Sequence, residues 1–137
     1  MKKFISIFLI VVFLFSVSGC SKAVVINENE LIKKGEITKV TVTSLPDDSN
    51  YIHVYTSSYK IKRIINYLNR LTLESEFIEN PNDYVGGTLV IQINYKNGTV
   101  ETVYHCANMF IRLNNGDWKR MKYEEAEQLD KIIDELN

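Results

Sequence analysis

The spacing of apolar residues changes several times along this chain, and each change marks an element. From Ile37 to Ser44, Ile37, Val40 and Val42 are interleaved with threonines and predict a first strand. Leu45-Pro46-Asp47-Asp48-Ser49-Asn50 is a dense turn cluster. Tyr51 to Tyr55 is β-branched and aromatic, and predicts a second strand. The period then becomes helical. Ile61, Ile64, Ile65, Leu68 and Leu71 share one face, and Ser57 or Ser58 can cap the start. Thr72 to Gly87 is a long polar connection, part of which can pair as an edge strand.

Alternation returns at Leu89–Tyr95 and Val100–Cys106, with Asn97-Gly98 between them. Asn-Gly suits a two-residue type I′ turn. Such a turn sets Tyr95 opposite Val100, Ile93 opposite Thr102, Ile91 opposite Tyr104 and Leu89 opposite Cys106, all on the core face. Carried through a second two-residue turn at Ala107-Asn108, the register keeps Met109, Ile111 and Leu113 on that face, with Trp118. Trp118 to Met121 is a short last strand. Ala126, Leu129, Ile132, Ile133 and Leu136 then give a closing helix over Glu124–Leu136, acidic in its first turn.

The order is ββ–α–ββββ–α. It predicts an α+β domain: one antiparallel sheet of five to six strands with both helices on one face. The pattern includes a strand pair, an Ile-rich helix ending in Asn66-Tyr67-Leu68, the Asn97-Gly98 hairpin, the Asn115-Gly116-Asp117-Trp118 turn and an acidic closing helix. It resembles small exported domains of uncharacterised function on lipoproteins of Gram-positive bacteria. That resemblance implies no activity.

The first residues change the picture of where the domain works. Lys2 and Lys3 precede an almost wholly apolar run, Phe4–Phe15, and small or polar residues follow it. This is the layout of a secretory signal peptide, and the run is shorter than the roughly 20 residues a bilayer span needs. Val17-Ser18-Gly19-Cys20 resembles the bacterial lipobox. The resemblance implies acylation of Cys20, cleavage before it, and anchoring to the extracytoplasmic face of a cell membrane. The expected division is a signal peptide over 1–19, a tether over 20–35 and a single domain over 36–137. Loss of Lys2 and Lys3 takes the formal charge from −1 to −3. That is too mild to indicate a nucleic-acid partner.

Candidate chemistry is sparse. With Cys20 acylated, Cys106 is the sole thiol, so an intrachain disulfide is excluded and Cys106 is expected to be buried. His105 and Cys106 are adjacent, but strand neighbours point to opposite faces and cannot form a dyad. His53 and His105 lack metal-ligand spacing. No cofactor or metal motif is present, and Gly86-Gly87 lacks the Lys-Ser/Thr of a phosphate loop. Two surfaces stand out. Val90, Val103, His105, Phe110 and Met121 would form a partly apolar patch on the outer sheet face, a candidate interaction face unless the tether, the long loop or an extra strand covers it. Lys60, Arg63, Tyr67 and Arg70 would form a stripe on the first helix that suits an anionic surface, unless it pairs with the acidic closing helix. The reading that follows is a non-enzymatic, membrane-tethered module for a protein, peptide or envelope polymer. The alternatives are an accessory or inhibitory subunit of an envelope enzyme, or a small hydrolase using Cys106 or His105.

Overall fold

The computed structural model describes residues 30–46, 51–84 and 86–137. The leader, Cys20, most of the expected tether with its apolar Val24–Ile26, and the Asp47–Asn50 part of the turn cluster lie outside the described residues.

The strands are β1 (Ile37–Leu45), β2 (Ile52–Tyr55), β3 (Leu73–Glu74), β4 (Thr88–Tyr95), β5 (Val100–Cys106), β6 (Phe110–Leu113) and β7 (Lys119–Met121). They form one seven-stranded sheet in the order β2-β1-β4-β5-β6-β7-β3, with every pairing antiparallel. Helix α1 (Ser58–Leu68) follows β2. A short α2 (Tyr123–Ala126) and then α3 (Gln128–Leu136) close the chain. The fold is the expected α+β class. The count rises from five or six strands to seven because Leu73–Glu74, within the long connection, pairs with β7 at the sheet edge.

Helices α1 and α3 cover the same face. Ile61, Ile64, Tyr67 and Leu68 of α1 and Leu129, Ile133 and Leu136 of α3 are buried against Val40, Val42, Ile91, Ile93, Val103 and Ile111 of the sheet. Removing this apolar surface from water is the main driving force for the fold, at about 25 cal/mol per Å². The packed chain starts before residue 36, where the domain was expected to begin. Ile32 is 1% exposed. Its backbone is held at both ends by the Asn69 side chain, which accepts from Ile32 N at 2.8 Å and donates to Ile32 O at 3.2 Å.

The β4–β5 hairpin departs from expectation, and the departure decides which face each side chain takes. Only Gly98 has positive φ there, at 87°. Gly98 N donates to Tyr95 O at 3.0 Å and Tyr95 N donates to Thr99 O at 2.9 Å. The connection is a three-residue turn with a bulge at Gly98, not a two-residue type I′ turn. Ile93 therefore faces Glu101, Ile91 faces Val103 and Leu89 faces His105. A one-residue slip reverses every side chain of a strand. Glu101, Val103 and His105 enter the core face, whereas Val100, Thr102, Tyr104 and Cys106 move to the outer face. Glu101 is buried, and the Tyr95 hydroxyl donates to its carboxylate at 2.7 Å.

The next connection compensates. Ala107 and Asn108 both have positive φ, but His105 pairs with Ile111 and Cys106 with Phe110, one residue beyond a two-residue turn. Ile111 and Leu113 therefore stay on the core side as expected. Trp118 does not. Ile111 pairs with Lys119, which sets Trp118 with Phe110 and Arg112 on the outer face.

Candidate functional site

The outer face of the sheet is divided into a covered half and an open half. Over the covered half, the Thr72–Gly87 connection folds back. Phe77 and Tyr84 pack on Phe110 with ring centroids 5.4 and 5.1 Å away. Glu79 bridges Arg120 at 2.9 Å. The turn Pro81–Asp83 is capped by the Asn80 side chain, which accepts from Asn82 N at 3.1 Å. Phe110 is fully buried as a result, and Cys106, directly across from it, is buried too. Burial of Cys106 agrees with expectation, although its face does not.

The candidate patch Val90, Val103, His105, Phe110 and Met121 is therefore not one surface. Val103, His105 and Met121 are buried on the helix-covered side, and Phe110 lies under the connection. Only Val90 stays on the outer face and partly exposed. The hairpin slip carried Val103 and His105 inward. Met121 turns inward because it pairs with Leu73, on the face of Lys119 and Ile111.

The open half is built by β2, β1, β4 and β5 with β6. Cross-strand pairing lays its side chains in rows. One row runs Ile52, Thr43, Val90, Tyr104, Arg112. The next runs Val54, Thr41, Gln92, Thr102. Ile52 and Val54, on edge strand β2, are 53% and 56% exposed, and Val100 is 50% exposed. Ile52 and Val54 stand in adjacent rows at the β2 edge, and Val100 lies apart on β5, so the β2 end of this face is a candidate contact surface. At the far end of the first row Arg112 is clamped between two rings. Its guanidinium carbon lies 4.6 Å from the Tyr104 centroid and 4.6 Å from the Trp118 centroid. Sequence reading missed Ile52, Val54, Tyr104, Arg112 and Trp118 as neighbours. They come together only when the register is known.

The stripe on α1 is largely committed to internal contacts. Lys60 Nζ donates to the Leu136 carbonyl, where a cation suits the helix C-terminus. Arg63 bridges Glu135 at 2.7 Å. Tyr67 is buried, its hydroxyl 3.1 Å from Ala126 O and 3.0 Å from His105 Nε2. One hydroxyl proton serves one acceptor. With Tyr67 donating to Ala126, His105 carries its proton on Nε2 and donates to Tyr67. Burial pushes His105 down to about 4, and it raises the Tyr67 hydroxyl well above its ordinary value. Arg70 stays exposed and lines a groove of about 500 Å³ between α1 and α3, with Lys62, Leu71 and Ile132. Glu125, in the same groove, is engaged by Thr72, whose N and Oγ1 donate at 2.6 and 2.9 Å.

His105 and Cys106 project to opposite faces, so they share no proton. His53 sits between the Tyr51 and Tyr55 rings, at 4.6 and 6.4 Å. Among the described residues there is no cluster of three metal-ligating side chains and no helix long and apolar enough to cross a membrane. No known protein family matches the chain, and neither a characterised protein nor a solved structure matches it significantly.

Proposed function

We propose that this chain is a lipid-anchored, extracytoplasmic binding module that meets its partner on the open half of the sheet. The observation that carries the reading is the row of exposed Ile52 and Val54 beside Thr41, Thr43 and Val90, ending at the clamped Arg112. A sheet face that carries no charge from Ile52 through Thr43 to Val90 suits a protein segment, and β2 adds an edge to which an extended peptide can pair. The lipobox Val17-Ser18-Gly19-Cys20 is the basis for the anchor. The non-enzymatic character rests on the chemistry of the reactive groups. His105 is held neutral in the core against Tyr67, and Cys106 lies buried on the other face.

The test is photo-crosslinking in the cell of origin, with a photoreactive residue at Val54 and, as control, at Lys131 on the exposed side of α3. Val54 gives a defined adduct from the membrane fraction and Lys131 gives none. In the same experiment Cys20→Ala moves the chain out of the membrane fraction. Adducts at Lys131 alone, or a membrane association indifferent to Cys20, would refute the corresponding half of the reading.

A further inference from the structure

Arg112 differs from the other half-buried arginines of the fold. Arg63 closes a bridge to Glu135 at 2.7 Å and Arg120 one to Glu79 at 2.9 Å. Arg112 lies within bridging distance of no carboxylate among the described residues. Instead its guanidinium carbon lies 4.6 Å from the centroids of two rings, Tyr104 and Trp118, that flank it from the neighbouring chain segments. Its Nε is buried without a hydrogen-bond partner. Stacking satisfies the faces of a guanidinium and leaves its in-plane N–H donors unused. A buried donor without a partner costs about 1–3 kcal/mol. The end of the guanidinium, Nη1 and Nη2, closes no salt bridge among the described residues, and an oxyanion end-on in the guanidinium plane would accept from it.

The clamp also removes the ordinary entropic objection to a single arginine as a binding residue. A free arginine loses up to ~2 kcal/mol of rotamer freedom when fixed. Here β5, β6 and the residue before β7 fix it in advance, with its fork at the end of the Ile52–Thr43–Val90–Tyr104 row. The side chains beside it in the next row, Thr102 and Gln92, are neutral. No neighbouring carboxylate on these rows competes for the site.

We infer that Arg112, held by Tyr104 and Trp118, is an oxyanion subsite on the open sheet face and takes a carboxylate or phosphate group of the ligand end-on. The inference rests on the reading of that face as the binding surface, and it names the chemistry of one end of the ligand. The ligand group accepts two parallel N–H bonds from the guanidinium, a geometry that a lysine cannot reproduce.

Trp118 is the sole tryptophan of the chain, so its fluorescence reports on this site alone. The full chain in neutral detergent is titrated with sodium acetate or with inorganic phosphate, each against sodium chloride at constant ionic strength. A saturable change in Trp118 emission is expected with at least one oxyanion and not with chloride. The change is lost in Arg112→Gln and weakened at least tenfold in Arg112→Lys. A larger response to acetate assigns a carboxylate ligand, and a larger response to phosphate assigns a phosphorylated one. An emission change no greater than chloride gives, or one that survives Arg112→Gln, overturns the inference. Should Arg112→Gln fail to fold, the Arg112 Nη–H resonances of the unaltered protein decide: a shift with the oxyanion supports the subsite and its absence overturns it. Adducts at Val54 with a silent Arg112 would remove the subsite and leave the module. An oxyanion response without adducts at Val54 would do the reverse.

Discussion

His105 is a titratable residue placed in the core. It is 1% exposed, and its ring is held near 4 by burial rather than at the ordinary 6.5. Between pH 6.5 and about 4 the unfolded chain takes up a proton that the folded chain refuses. Stability therefore falls as pH falls through that window, by up to ~3 kcal/mol, and His105 adds no further loss below it. Denaturant unfolding of the full chain between pH 4 and 7 should show this slope, and His105→Gln should flatten it. An unchanged slope in the variant would place the acid sensitivity elsewhere. Sequence reading could not see this residue's role. The alternation of β5 is legible, but its face depends on whether the turn at Asn97-Gly98 holds two residues or three. A single extra residue, Gly98 at φ 87°, decided it. The cost of that choice is a glutamate in the core, Glu101, which Tyr95 satisfies at 2.7 Å.

At the scale of elements, the two helices were the most legible parts. Their apolar spacing is set within one segment, and the structure buries Ile61, Ile64, Leu68, Leu129, Ile133 and Leu136 as that spacing requires. The sheet was legible as a set of strands but not as a pair of faces, because faces follow from register and register from turn geometry. The two turn lengths then offset each other, which kept Ile111 inward, and the pairing of Ile111 with Lys119 turned Trp118 outward. The Thr72–Gly87 connection was legible as long and polar. Its function as a cover was not, since Phe77 and Tyr84 find Phe110 only across more than twenty residues of chain. That cover makes a prediction. Cys106 should react with a thiol reagent through local opening of the connection, ahead of global unfolding. Phe77→Ala removes one of the two rings on Phe110. It should speed labelling of Cys106 about tenfold, equivalent to ~1.4 kcal/mol of opening free energy, while the unfolding midpoint falls much less. Labelling that tracks global unfolding in both proteins would mean the cover is an integral part of the core.

At the scale of the molecule, the two faces of the sheet do different work. One is closed by α1 and α3 and carries the stability. The other is half closed by the connection and leaves β2, β1, β4 and β5 open, with apolar groups at the β2 edge and a fixed guanidinium at the far end. On the proposed reading the lipid at Cys20 confines this open face near the membrane, where a modest affinity acts at a raised effective concentration. In the basic stripe of α1, Lys60 and Arg63 tie the first helix to the last.

The central claim is that the open face is occupied when the chain is in its own envelope. It is tested most directly by thiol footprinting of Val54→Cys and Lys131→Cys, each with Cys106→Ala, in intact cells and in purified protein. The account predicts that Val54→Cys labels at least tenfold more slowly in cells than in isolation, whereas Lys131→Cys labels alike in both. Equal labelling of Val54→Cys in the two settings, or selective protection of Lys131→Cys, would contradict it.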